Sequence, residues 1–289
     1  MNIVIKMCVF TIVCLYSASC QPVKEDMVGN DFRLFKNTLG WELAKAVKEQ
    51  DTSNFEKIIK DSRINIDYEE DVFGQSLLQL AVHNNLDKSV KKLLELGADP
   101  NHSNDRHGET VMHNAVGIFQ NNDDTLILSY LLEYGGNPNG KTSFTNYQVG
   151  GSRSVVSELC VNNTQQLNKL KLLVKNGANI VIDSSDSFNP LVGAVRSKNY
   201  KIVLYLLNQG ADYTKPIFHA FSGEIYYIQN SMKRDLISLS SEAYQDKLKV
   251  IRFLEDHGVD YLNTPPPKRL IERAKQQYPD TWEEYLKVY

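Results

Sequence analysis

Cysteine is scarce in the body of this sequence. Of four cysteines, three fall within the first twenty residues, and only Cys160 follows them. An exported chain stapled by disulfides carries an even set of cysteines in its body, so we expect packing to stabilise this fold. Positive charge is not in excess either, with 32 Lys and Arg against 35 Asp and Glu. Because no Arg-rich or RNP-like pattern occurs, this balance argues against nucleic acid as a partner.

The motifs of common enzyme classes are also missing. No glycine-rich phosphate loop occurs, and residues 150–154 (GGSRS) lack the G-x-S-x-G spacing of a serine hydrolase. His102, His107 and His113 are close in sequence, but no cysteine pair or carboxylate joins them at metal-ligand spacing. The sequence therefore predicts a protein that is not an enzyme and that has no catalytic residue, cofactor or metal.

The N-terminus has the layout of a secretory signal. Lys6 precedes a mainly apolar run over residues 7–16, and small residues at 17–19 follow. A basic start, an apolar middle and a small-residue cleavage site are typical of a signal peptide, and the run is too short to span a bilayer. We predict a signal peptide over residues 1–19; a buried N-terminal helix is the alternative.

Processing at Cys20 decides where the exported chain resides. Ser-Ala-Ser-Cys resembles a bacterial lipobox, although Ser17 stands where that motif has Leu, Val or Ile. The resemblance implies a lipid anchor on Cys20, and Gln21 in place of Asp implies sorting to the outer membrane from the periplasm. Simple cleavage after residue 19 is the alternative. Translation from Met7 would remove Lys6 and yield a minor cytosolic form.

One segment recurs along the chain: two adjacent apolar residues, short spacers and a glycine, with a further apolar residue three positions ahead. That spacing places the apolar side chains on one stripe of a helix, and the glycine ends the helix in a left-handed conformation. The five copies have their apolar pairs and glycines at Leu93-Leu94 and Gly97, Leu131-Leu132 and Gly135, Leu173-Val174 and Gly177, Leu206-Leu207 and Gly210, and Phe253-Leu254 and Gly258.

A partner segment precedes these helices, most clearly GETVMHNA at residues 108–115 and GQSLLQLA at 74–81. With the recurring segment, it resembles the ankyrin-repeat signature G-x-T-P-L-H-x-A followed by LL-x-x-G-A-x-x-N. Gly108, Thr110, His113 and Ala115 match, whereas Val111 replaces the proline. The resemblance implies that the histidine bonds the turn backbone and that Cys160 occupies a buried core position.

The resulting fold class is all-α: an ankyrin-repeat solenoid of about six helix pairs with insertions and a C-terminal helical cap. We predict a linker over residues 20–40, repeats over 41–264, beginning with a degenerate one, and capping helices over 265–289. Glycine spacings longer than the family's standard predict insertions at residues 119–124, 140–153 and 222–244.

In ankyrin proteins the loop tips and first helices line a concave binding face, and aromatic residues beside charges suit a protein partner. The candidate partner-binding residues at these tips are Tyr68, Glu69, Glu70, Asp71, Phe73, Asp105, Arg106, His107, Phe144, Tyr147, Asp186 and Phe188. An exported ankyrin protein resembles periplasmic immunity proteins that neutralise type VI secretion effectors, in particular phospholipases. We therefore expect a chain, monomeric apart from its partner, that blocks such a toxin. An envelope scaffold or chaperone for an endogenous protein is the alternative.

Overall fold

The computed structural model describes residues 27–104, 108–117, 123–142, 152–161, 166–181, 189–219 and 223–288. The predicted signal peptide and Cys20 lie outside them. The described residues form six pairs of α-helices, here called repeats 1 to 6, and two further α-helices. The first helices are α1 (Trp41–Glu49), α3 (Leu77–His83), α5 (Val111–Val116), α7 (Val155–Val161), α9 (Pro190–Arg196) and α11 (Ile228–Met232). The second helices are α2 (Phe55–Ser62), α4 (Asp87–Glu95), α6 (Leu126–Glu133), α8 (Leu167–Lys175), α10 (Tyr200–Asn208) and α12 (Glu242–Asp256).

Local sequence explains where these helices begin and end. Ser76 begins α3 with a capping box, in which its hydroxyl accepts from the amide of Gln79. Second helices end at glycines with positive φ, such as Gly97 at +93°, after which the amide of Ala98 donates back to the carbonyl of Leu93. In repeat 1, Arg63 takes the left-handed conformation, with φ of 54°, so this repeat lacks the glycine signal.

The helices stack in two rows. First helices pack against first helices along the stack, and second helices pack against second helices between repeats 2 and 3 and from repeat 4 to repeat 6. Their apolar faces form one core cluster that runs from Phe32 to Tyr261. Leu93 and Leu94 are 0% and 3% exposed, as their spacing predicts. Each repeat therefore buries its apolar surface against its neighbours, and the all-α solenoid predicted from the sequence is confirmed.

A hydrogen-bond ladder ties the turns after the second helices together. The Oδ1 atom of Asp67 accepts from the amide of Asp99 at 3.0 Å. One repeat further on, Asn101 accepts from the amide of Asn137 at 2.6 Å and donates to the carbonyl of Gly135 at 2.9 Å. Asn139 makes the same two bonds to the amide of Asn179 and the carbonyl of Gly177. These bonds fix the register between repeats 1 and 4.

Two expectations from the sequence need correction. Residues 31–36 are not a linker, because the 3₁₀-helix Phe32–Phe35 buries Leu34 and Phe35 completely and packs on α1. The open side of repeat 1 needs such a cover. Residues 222–244 are not a simple insertion, because they contain α11 and the start of α12. The helix α11 was missed because its sequence lacks the G-x-T-P-L-H-x-A signature.

The C-terminal end of the stack is covered by α13 (Lys268–Gln277) and α14 (Trp282–Val288). Leu270, Ala274 and Tyr285 form a second apolar cluster with Tyr244 of α12. The hydroxyl of Tyr285 donates to the carbonyl of Ile237 at 2.9 Å and accepts from its amide at 3.0 Å. These two helices pack on repeat 6, in the place where the sequence predicts a helical cap.

Candidate binding surface

Extended segments, here called fingers, lead from the turn of one repeat into the first helix of the next. Paired bridges close the fingers of repeats 2 and 3, between Glu69 and Ser76 and between Ser103 and Thr110, and each encloses six residues. In repeat 4 the bridge joins Lys141 to Ser154 and encloses twelve. The insertion predicted at residues 140–153 is therefore an enlarged finger, and its tip at 143–151 lies outside the described residues.

Glu70 organises the finger of repeat 2 from inside. Its side chain is 1% exposed, and its carboxylate accepts from the amides of Val72, Phe73 and Gln75 at 2.7–2.9 Å. A buried carboxylate that accepts three amide bonds holds the turn rather than facing a partner. The assignment of Glu70 to partner binding is corrected on this ground.

The remaining candidates of this finger divide between internal contacts and solvent. The ring of Tyr68 packs against Phe35 with centroids 6.2 Å apart, and Glu69 pairs with Nε2 of His102 at 2.8 Å. The ring of Phe73 is half-buried beside Gly29. Asp71 is exposed at the tip. The finger thus presents Asp71 and the open parts of the two aromatic rings.

Neighbouring fingers and first helices are joined by side chains. Gln79 of α3 donates to the carbonyl of Glu109 in the next finger at 3.1 Å. His113 of α5 bonds the hydroxyl of Thr110 at 2.7 Å and the carbonyl of Arg153 at 3.1 Å, as the resemblance implies for this histidine. Burial lowers the pKa of His113, which favours the neutral form of the ring. We call the surface formed by the fingers and first helices the finger face.

The other candidate residues at the tips are not placed by the structure. Asp105, Arg106, His107, Phe144, Tyr147, Asp186 and Phe188 all lie outside the described residues, and their assignment stays a prediction. The sequence reasoning also missed part of the finger face, namely the finger of repeat 6. There β1 (Phe218–His219) and β2 (Ile225–Tyr226) pair antiparallel, with Phe218 opposite Tyr226. The aromatic run Tyr226-Tyr227 was its only signal in the sequence.

Among the described residues, few side chains are placed to react or to bind a metal ion. Cys160 is fully buried, and burial raises the pKa of its thiol, which makes it unreactive. Over the described ranges, no three His, Cys, Asp or Glu residues converge as metal ligands would. In the same ranges no helix has the length and apolarity that crossing a membrane requires.

Comparison with known proteins agrees with this architecture. Residues 77–132, which run from α3 into α6, match the family model described as ankyrin repeats (many copies). A comparison with curated proteins finds no match. Ankyrin repeats are protein-interaction modules and typically non-enzymatic scaffolds. The chain is an all-α solenoid of ankyrin type, and its matched segment is a protein-binding module.

Proposed function

We propose that this chain is an exported immunity protein whose finger face binds and blocks a toxic effector, a phospholipase delivered by type VI secretion. The observation that carries the binding role is that non-covalent contacts connect neighbouring fingers and first helices. Glu69 pairs with His102, Gln79 reaches the finger of repeat 3, and His113 reaches the finger of repeat 4. A surface held in place before binding loses little conformational freedom on association, which favours tight complexes.

The location and target in this proposal rest on the sequence. The predicted leader over residues 1–19 and the lipobox-like Cys20 support an envelope location, where an incoming phospholipase would act. The finger face then covers the entrance to the active site or the membrane-facing surface of the toxin. The enlarged finger of repeat 4 adds reach to that face, since it encloses twelve residues where two others enclose six.

Co-expression tests the proposal. The chain and the product of its neighbouring gene, which the proposal expects to be a secreted phospholipase, are produced together in the periplasm of a sensitive bacterium. We expect growth to be rescued by the wild type and lost with Asp71→Lys, which reverses the exposed charge at the tip of a finger. The control is Asp61→Lys, because it makes the same charge change at an exposed position of α2, in the second-helix row.

The outcomes separate the alternatives. Rescue that survives Asp71→Lys places the interface elsewhere on the chain, and equal loss in both variants indicates a general charge effect. If the chain neither binds the phospholipase nor rescues growth, immunity is wrong and the envelope scaffold takes its place. Replacing Cys20 by Ala and labelling cells with palmitate tests the anchor separately, since equal labelling of both proteins rules it out.

A further inference from the structure

A cavity of about 490 Å³ opens on the finger face between repeats 5 and 6. Val195 and Arg196 line it from α9, and Phe218 lines it from β1. Ser231, at the end of α11, and the following Arg234 and Asp235 complete the wall. Since α9 and α11 are neighbouring first helices, the cavity continues the finger face toward the C-terminus.

Aromatic rings hold one of the two arginines in place. Phe218 and Tyr226 stack with centroids 4.4 Å apart and planes 4° from parallel. The guanidinium of Arg234 lies 5.1 Å from the centroid of Phe218 and 5.0 Å from that of Tyr226. Contact with a stacked ring pair restrains a guanidinium while its N–H groups remain able to donate.

The positive charge of this cavity is not balanced within its own wall. In the part of the chain that the structure describes, neither Arg196 nor Arg234 forms an ion pair. The carboxylate in the wall, Asp235, is already engaged: it accepts from the hydroxyl of Tyr200 and lies 3.4 Å from Nζ of Lys198. A local excess of cationic donors therefore remains on a chain of net charge -3.

Part of the cavity wall is apolar. Phe218 and Val195 line it beside the two arginines. An aromatic ring and arginines around a concavity match the composition of anchor sites in protein interfaces. A free phosphate or a nucleic acid backbone would make no use of this apolar wall.

We propose that the cavity between repeats 5 and 6 binds a carboxylate side chain, flanked by an apolar residue, from an acidic segment of a protein partner. Arg234 and Arg196 receive the carboxylate, because a guanidinium donates two parallel hydrogen bonds to such a group. Phe218 contacts the apolar neighbour. The inference rests on the proposed binding function and adds to it the chemistry of one part of the partner.

Short labelled peptides test the inference on the full chain. One fluorescein peptide carries Glu-Phe-Asp between Gly and Ser residues, and a second carries Gln-Phe-Asn in the same frame. Fluorescence anisotropy should show tighter binding of the acidic peptide. Arg234→Gln and Arg196→Gln should each weaken that binding by about tenfold or more, since a charge-assisted hydrogen bond is lost.

The matched control is Arg252→Gln, which removes the same charge at an exposed position of α12 in the second-helix row. It should change the affinity by no more than about twofold, and circular dichroism should show all variants folded. Equal binding of the two peptides, or equal weakening by all three variants, overturns the inference. So does binding of phosphatidylglycerol vesicles or inorganic phosphate at this cavity with no binding of the acidic peptide.

This experiment is independent of the toxin. If the chain binds the acidic peptide as expected but does not rescue growth, the assignment of the cavity stands and the immunity function is wrong. If the chain rescues growth but does not bind the peptide, the immunity function stands and the assignment of the cavity is wrong.

Discussion

Leu94 lies in α4, where it is 3% exposed within the continuous core. Truncation to Ala removes buried methyl groups and leaves a cavity between neighbouring repeats. We expect Leu94→Ala to lower the free energy of unfolding by about 2–5 kcal/mol in urea denaturation. The control Leu262→Ala changes a side chain that is 70% exposed and should cost less than about 0.5 kcal/mol. Equal effects of the two changes would contradict the repeat packing.

Glu70 provides a second test at the scale of a residue. Its carboxylate accepts from three backbone amides of one finger. Glu70→Ala leaves these amides without their acceptor and should destabilise the finger by about 1–3 kcal/mol, whereas Glu70→Gln retains one acceptor oxygen and should cost less. Amide hydrogen exchange of Val72, Phe73 and Gln75 measures this directly. Unchanged exchange in Glu70→Ala would show that the carboxylate does not hold the turn.

At the scale of elements, the ladder between turns stops at Val181. Asn101 and Asn139 occupy the equivalent position in the turns of repeats 2 and 3 and bond the next turn, but Val181 in the turn of repeat 4 offers no polar side chain. Val181→Asn should extend the ladder to the amide of Asp212 and raise the free energy of unfolding by about 0.5–1.5 kcal/mol. Little burial is lost, because Val181 is 54% exposed.

Urea denaturation checks this gain, and Val28→Asn is the control because Val28 is 67% exposed outside the ladder. A loss of stability in Val181→Asn, or the same change in both variants, would show that the ladder does not continue toward repeat 5.

A buried lysine in repeat 6 should make the free energy of unfolding depend on pH. Lys247 of α12 is fully buried, and its Nζ donates to the carbonyl of Met232 at 2.9 Å. Burial lowers the pKa of Lys247 from 10.5 to about 6, although Asp235 acts against this and Lys233 and Lys198 add to it. The unfolded chain therefore binds a proton more readily than the folded chain between these two values.

The direction in which stability changes with pH follows from this difference in proton binding. The contribution of Lys247 to stability is complete above pH 10.5 and is lost as the pH falls toward about 6. We expect the free energy of unfolding to rise between about pH 6 and pH 9 more steeply in the wild type than in Lys247→Met, as measured by urea denaturation at several pH values. Parallel curves would contradict a buried lysine at this position.

At the scale of the whole molecule, the sequence predicts most of the solenoid, because apolar pairs and glycines mark the second helices. Gly97 and Gly135 reveal their repeats, whereas Arg63 replaces the glycine in repeat 1. The first helix of repeat 6 carries no signature, so α11 was assigned to an insertion. The sequence does not reveal the burial of Phe32–Phe35, because a segment that covers the open end of a repeat has no periodic spacing of apolar residues.

The binding surface was less predictable than the fold. Tip position alone does not distinguish an exposed carboxylate from one that bonds the backbone, and so Asp71 and Glu70 received the same assignment. The cavity between repeats 5 and 6 depends on Arg234 meeting Phe218 and Tyr226 in space. Phe218 and Tyr226 belong to a finger that the repeat signature does not mark, and Arg234 follows α11. Their convergence appears only when the chain is folded.

The central claim is that the finger face binds a partner protein, and hydrogen exchange of the complex tests it most directly. The full chain is mixed with the product of its neighbouring gene, which the proposed function expects to be a phospholipase, and amide protection is compared with that of the free chain. We predict added protection at the finger of repeat 2, around Asp71 and Phe73, and none along the exposed sides of α2 and α4. Protection confined to the second-helix row, or none anywhere, would contradict the claim.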